Sequence, residues 1–285
     1  VILTDSHAHL TSVAEELGRE ALASLLGDYA AAAAEAALLG RAAPLLLDPG
    51  TEPDDLRDRL SLLRAALALG EGESLPPFLR LAAGIWPSPD SLADPSSSLA
   101  RLERSVEAAS SSGFAVAAIG EGGLDYHYED GIKGGLLGSQ AELFEGQLAL
   151  ASHLGLPMIV HSRDAAADTL SALRSAPRGL RVVIHCFGYG PSEAKAFLDL
   201  GCWISFAGNL TYKKSDALRE ACALVPSERL LLETDSPYMN PMPQRGKSSS
   251  PRDVERTYIC AAALRGEGIE DLAETVSRNA RELFG

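Results

Sequence analysis

Several absences narrow the chemistry of this chain. Aromatic residues are 6% of its 285 residues, and the net charge is −14. A protein that coats nucleic acid usually carries a basic face, so extensive non-specific duplex binding is excluded. The four cysteines (Cys186, Cys202, Cys222 and Cys260) form no CxxC pair. Their apolar neighbours predict reduced, buried thiols and a cytoplasmic protein. Cys186 follows a candidate ligand, but strand alternation is expected to turn it away from that site. No apolar stretch is expected to cross a membrane, because Glu35 and Arg41 interrupt the Ala-rich stretch after Gly27. No signal-peptide pattern opens the chain, and a monomer with no membrane partner is favoured.

Charge is unevenly spread. Residues 1–60 hold 11 acids and 4 bases, a net of −7 and half the total. The stretch Pro241–Arg252 contains Arg245, Lys247 and Arg252 and no carboxylate. A phosphate-bearing substrate thus stays possible if it is gripped locally.

Hydrophobic residues at 46% supply a sizeable core. Eight short runs rich in Val, Ile and Leu predict strands near 1–5, 45–48, 79–84, 115–120, 157–161, 181–185, 202–206 and 230–234. Helical patterns lie between them: Asp54–Leu69, with leucines at 56, 60, 63 and 67, then Ser139–Leu154, Ser192–Leu200, Ser215–Leu224 and Ile269–Phe284. Eightfold alternation predicts an α/β fold, a (β/α)8 barrel of the TIM type, as one domain over 1–285. Trp86–Ser98, Gly122–Gly138 and Ser236–Ser250 read as long loops at the catalytic ends of strands.

Five of the eight runs end in a residue that binds metal. His7 and His9 stand two apart on a strand, so both rings share one face, and Asp5 on that face could orient a ligand. Glu121 closes the fourth run, His161 the fifth, His185 the sixth and Asp235 the eighth. Glu233 shares a face with Asp235 and could support it. Singly, each has an ordinary reading: a capping glutamate, or a hydrogen-bonded core histidine. Together they are too many for one tetrahedral ion and suit two ions sharing a carboxylate. His153, on a helix, reads as structural; His127, in a catalytic-face loop, could touch substrate.

The segments Asp5-Ser6-His7-Ala8-His9-Leu10, Gly120-Glu121-Gly122-Gly123-Leu124-Asp125-Tyr126, Ile159-Val160-His161-Ser162-Arg163-Asp164-Ala165, Ile184-His185-Cys186-Phe187, Leu232-Glu233-Thr234-Asp235-Ser236-Pro237-Tyr238 and Arg245-Gly246-Lys247 occur in a telling order. They resemble the signatures of the TatD family, and the likeness runs to the closing Asn279–Phe284. The resemblance implies the amidohydrolase superfamily of metal-dependent barrels and a divalent-metal-dependent deoxyribonuclease, often trimming DNA from the 3′ end. It also implies His7, His9, Glu121 and Asp235 around one metal, and Glu121, His161 and His185 around the other. Mg²⁺ is the family precedent in activity, while the donor set also suits Zn²⁺ or Mn²⁺. Departures from the family pattern are Trp86, where Gly-x-His-Pro is usual, Ser248-Ser249-Ser250 after Arg-Gly-Lys, and Gly123, where Ile is more typical.

The reaction expected is phosphodiester hydrolysis by water activated between two ions, with Asp235 and Glu121 as catalytic residues. Arg163, Arg245 and Lys247 are candidates for phosphates. Tyr126, Tyr128 and Trp86 are candidates for stacking unpaired bases, which favours single-stranded or frayed DNA ends. The alternative is amide or ester hydrolysis at the same site, on a small cyclic amide or an aminoacyl-tRNA ester. A scaffold that has lost turnover would lack a ligand, and none is missing.

Overall fold

The computed structural model describes residues 2–70, 72–127 and 136–285. Seven strands run parallel in sequence order: β1 (Leu46–Asp48), β2 (Leu79–Ala83), β3 (Ala118–Asp125), β4 (Met158–Arg163), β5 (Val182–Ile184), β6 (Trp203–Phe206) and β7 (Leu230–Leu232). The first apolar run takes the eighth place as isolated bridges: Asp5 pairs with Leu46, and Ala8 with Ser236. Its backbone bonds to both sides, Asp5 N–H to Leu45 O at 2.8 Å and Ser6 N–H to Leu232 O at 3.1 Å, closing the curled sheet between β1 and β7. Seven of the eight expected strands are therefore strands, and the first is too briefly paired to form one. Val1 lies outside the described residues.

The helices are α1 (Leu10–Leu17), α2 (Arg19–Leu38), α3 (Leu56–Ala66), α4 (Pro89–Ala93), α5 (Pro95–Ser111), α6 (Leu137–Leu154), α7 (Ala166–Ser175), α8 (Pro191–Asp199), α9 (Asp216–Leu224), α10 (Val254–Arg265) and α11 (Ile269–Phe284). In α11 the buried side includes Leu272, Val276, Ala280 and Leu283, a spacing of four, four and three that keeps one face on the sheet. The expected loop Trp86–Ser98 is instead largely helical. Ser88 Oγ accepts the Ser91 N–H, Asp94 Oδ1 accepts the Ser97 N–H, and a proline follows each cap at the first helical position.

By length and composition α2 could cross a membrane, contrary to the reading of its Ala-rich sequence. Here Leu22, Leu25, Leu26 and Tyr29 are buried, and the Tyr29 hydroxyl donates to Leu3 O at 2.8 Å. That face covers the barrel.

Buried polar side chains fix the barrel mouth. Arg59 donates to Asp48 at 2.9 Å, to Asp55 at 2.9 Å and to the carbonyls of Asp48 and Ala82. Asp48 also accepts the Leu10 N–H at 2.8 Å, so one ion pair joins β1, β2 and the start of α1. From α6, Gln140 bonds the N–H and C=O of Asp125, and Gln147 those of Ile85. These amides satisfy backbone groups at the end of β3 and just past the end of β2.

Candidate metal centre

Glu121 is the hub of the site. The β3–β4 register shifts between Ile119 and Gly122. The backbone N–H of Glu121 bonds instead to Gly50 O at 2.7 Å. This irregularity aims the carboxylate into the mouth, where its two oxygens divide four imidazoles between them. Oε2 lies 3.2 Å from His7 Nε2 and 3.5 Å from His9 Nε2. Oε1 lies 2.8 Å from His161 Nδ1 and 3.0 Å from His185 Nε2. Asp235 Oδ1 lies 3.3 Å from His9 Nε2 and 3.8 Å from His7 Nε2, and the carboxylate also comes within ligand range of His185. Three overlapping groups could each hold a metal ion: His7, His9 and Glu121; His7, His185 and Asp235; and Glu121, His161 and His185.

The proton count shows that these donors fit a cation. His161 Nε2 faces Asp125 Oδ2 at 2.9 Å, and a carboxylate there keeps the proton on Nε2. A neutral ring then turns its Nδ1 lone pair toward the Glu121 oxygen 2.8 Å away. Two electron pairs at that distance repel unless a proton or a metal lies between them. Nitrogen and carboxylate donors converging in this way suit zinc or manganese, and the carboxylates also suit magnesium.

Without a cation, protons take that place. Burial opposes charge on His185, yet Glu121 and Glu233 lift its pKa well above the usual value. Burial likewise opposes charge on His9 and His161, which Asp235, Glu121 and Asp125 nevertheless raise. His7 is lowered, first by burial and then by His185. Glu121 and Asp235 are held below the ordinary carboxylate range by the imidazoles, against burial. Protons on His185, His161 and His9 thus stabilise the metal-free fold fully below the ordinary imidazole pKa. That contribution is lost as pH rises through the raised values. A cation must displace those protons. The gain in melting temperature from added Mn²⁺ is therefore expected to be small near pH ~6 and to grow toward pH ~8. Thermal scans that show the same gain across this range would count against imidazole ligation.

The supporting residues are only partly those the sequence suggests. Asp5 accepts from Thr234 N–H at 2.9 Å, from Thr234 Oγ1 at 2.6 Å and from His7 N–H at 3.2 Å, so it ties backbone together and orients no ring. Its carboxyl is pushed up to about 8, chiefly by burial, against the Thr234 and His7 hydrogen bonds. Glu233 does face a ring: Oε1 lies 3.4 Å from His185 Nδ1, and the carboxylate also accepts from Cys186 N–H and Ser205 Oγ. Asp125, the partner of His161, is buried and was not singled out, although it stands four residues beyond Glu121 on the same strand.

Cys186 does not turn away. Its φ of +43° breaks the strand alternation, and it lines the cavity. Burial, then Asp235, Glu233 and Glu121, push its thiol pKa well above the usual value, which keeps it protonated. All four cysteines are free, with Cys202 and Cys222 buried and the other two half-buried.

Gly123 has φ +154°, and a Cβ there would lie 1.9 Å from His161 O. No side chain fits at Gly123 in this backbone. A Cβ on Gly122 would lie 2.5 Å from the Gln147 amide, which is itself tied to Ile85, so this position is closely packed too.

The cluster opens into a cavity of about 710 Å³ whose wall includes Trp86, His127, Arg163 and Tyr189. Trp86 stands edge-to-face with His161, ring centroids 5.9 Å apart. His127 Nδ1 lies 3.1 Å from Asp164 Oδ2. Tyr126 lines a separate hollow, and its hydroxyl donates to Asp168 at 2.8 Å. Tyr128 lies outside the described residues. Arg245 and Lys247 sit outside the cavity wall, with Arg245 4.4 Å over the Tyr212 ring. His153 is exposed on the last turn of α6.

Fold and site together define a parallel barrel whose mouth gathers imidazole and carboxylate groups able to hold metal ions. The family model described as TatD related DNase matches residues 4–285, and the chain belongs to that family. It is 42% identical over 170 residues to the uncharacterized metal-dependent hydrolase YcfH of Escherichia coli K12, covering 59% of this chain and 63% of YcfH. It is 38% identical over 176 residues to the 3′-5′ ssDNA/RNA exonuclease TatD of Pantoea ananatis, covering 60% and 66%. The match spans less than two thirds of the length of either relative. Among solved structures, YJJV, a TatD homologue from Escherichia coli K12, superposes with a TM-score of 0.72 at 28% identity, over 91% of this chain and 93% of that one. The phosphotriesterase homology protein of Escherichia coli shares the fold, with a TM-score of 0.65 at 12% identity over 100% and 99%.

Proposed function

We propose that this enzyme hydrolyses phosphodiester bonds at single-stranded or frayed DNA ends, from the 3′ end, using two divalent cations. The observation that carries the reading is the split of Glu121: one oxygen serves His7 and His9, the other His161 and His185, with Asp235 Oδ1 3.3 Å from His9. One carboxylate between two imidazole pairs suits two ions. The Pantoea relative named as a 3′-5′ ssDNA/RNA exonuclease supports the choice of bond.

Bound cations would lower the pKa of a water and neutralise charge building on the phosphoryl oxygens. The protein does the rest. Asp235, held ionised by its imidazole neighbours, orients the water and accepts its proton on a carboxylate oxygen. Arg163, at the end of β4 in the cavity wall, offers a planar fork to a phosphate. Trp86 gives an unpaired base a surface to stack on, which an intact duplex cannot use.

The test is a digestion series. Stripped enzyme is reloaded with Mg²⁺, Mn²⁺ or Zn²⁺ and given end-labelled single-stranded and duplex DNA, beside a panel of esters and cyclic amides. Metal-dependent shortening of single strands from the 3′ end is expected. Turnover on the ester and amide panel with intact oligonucleotides would replace this reading by the other hydrolytic one.

A further inference from the structure

We propose that the loops after β6 and β7 form one basic ridge beside the cavity, and that this ridge carries the backbone of the single strand whose end is cut. The proposal rests on the phosphodiesterase reading above and deepens it by saying how the rest of the strand is held. Residues 201–215 and 236–252 contain Lys213, Lys214, Arg245, Lys247 and Arg252 and no carboxylate, in a chain of net charge −14.

The two stretches are joined in space. Arg245 Cζ lies 4.4 Å over the Tyr212 ring. The Tyr212 hydroxyl donates to Asn240 O at 3.2 Å, and the Met242 N–H donates to Thr211 Oγ1 at 2.8 Å. Both loops follow C-terminal strand ends, and Asn209 from one and Met239 from the other reach the cavity wall.

Lys213, Lys214, Arg245 and Lys247 are exposed and form no ion pair among the described residues, whereas Arg252 is held by Asp28. Asp216 is paired with Arg219, and Glu16, which accepts from the Ser248 hydroxyl, is an acid that meets the ridge at its edge. Elsewhere the cavity wall carries the acids Glu52 and Asp164, with Arg163 as the group there that takes the scissile phosphate. A polyanion whose end is held at Glu121 by Arg163 and the cations meets acids at Glu52 and Asp164 and finds favourable charge over the ridge. One strip of cations matches one phosphate backbone, so the occupant is a single strand rather than a duplex or an acidic protein.

The test uses the Mn²⁺ holoenzyme, a dinucleotide and a single strand of about 12 nucleotides, over a range of salt. The wild type is expected to prefer the longer strand, with kcat/KM falling as salt rises. In K213A/K214A the preference should shrink. In K213A/K214A/R245A/K247A it should approach parity, with the slope of log kcat/KM against log salt shallower by about 3, at roughly 0.7 per lost phosphate contact. The double variant removes only exposed lysines, so it separates charge from the packing of Arg245 on Tyr212. Unchanged length preference and slope in both variants would overturn the ridge, as would equal losses on both substrates or an equal preference for duplex. A wild type that cleaves neither substrate defeats the phosphodiesterase reading itself, and the ridge with it.

Discussion

Glu121→Gln is expected to abolish turnover, lowering kcat/KM by about four orders of magnitude or more, equivalent to about 5.5 kcal/mol of transition-state stabilisation. Glutamine keeps the shape but not the charge. Both carboxylate oxygens are engaged, each with two imidazole nitrogens between 2.8 and 3.5 Å away. A neutral amide cannot serve two cations, so metal content should fall along with activity. The fold should persist: an amide N–H can meet an imidazole lone pair, and the buried carboxylates that remain, Asp235, Asp125 and Glu233, keep His9, His161 and His185 as partners. The measurements are metal content, near-ultraviolet circular dichroism and rate on the same sample. A native-like spectrum with wild-type metal content and rate would remove Glu121 from its central place.

Much of this centre was legible in the sequence because barrel strands are short and buried. A charged or ligating residue at the end of an apolar run has few other reasons to be there. That logic reached His7, His9, Glu121, His161, His185 and Asp235, which the structure gathers around one carboxylate. It failed where the backbone leaves regular geometry. Cys186 was expected to point outward by alternation, but its positive φ turns it into the cavity. Asp125 carries no signal of its own, because the sequence does not show that β3 continues past its irregularity to residue 125. Pairing of that distal stretch with β4 is what brings the Asp125 carboxylate to the His161 ring.

The helices tell a similar story. Periodic leucines exposed α3, but α1 and α2, the latter Ala-rich, gave no clear face. Ser88-Pro89 and Asp94-Pro95 were read as loop by composition, although a capping side chain followed by proline is a helix-start signal. Local chemistry was present there, and only its interpretation missed. The first strand is the opposite case. Its hydrophobic pattern is sound, but the chain spends so few residues between β1 and β7 that pairing reduces to two bridges.

Asp235→Asn should separate chemistry from metal binding. Asp235 has φ +56°, a region that asparagine tolerates better than alanine, so the amide variant preserves the backbone that presents this side chain. His7, His9 and Glu121 still form one candidate metal group without it, and Glu121, His161 and His185 form another. Metal content is therefore expected to stay close to wild type, with at most a modest loss of affinity. The carboxylate's other task, accepting a proton from water, is one an amide cannot perform. A fall in kcat of about 10²–10⁴ is expected, with little change in KM. This pattern differs from that of Glu121→Gln, where metal and rate disappear together. If Asp235→Asn cleaves at the wild-type rate, the proton goes elsewhere. If it loses both cations, Asp235 is a structural ligand whose removal collapses the centre, and the assignment of base to this residue fails.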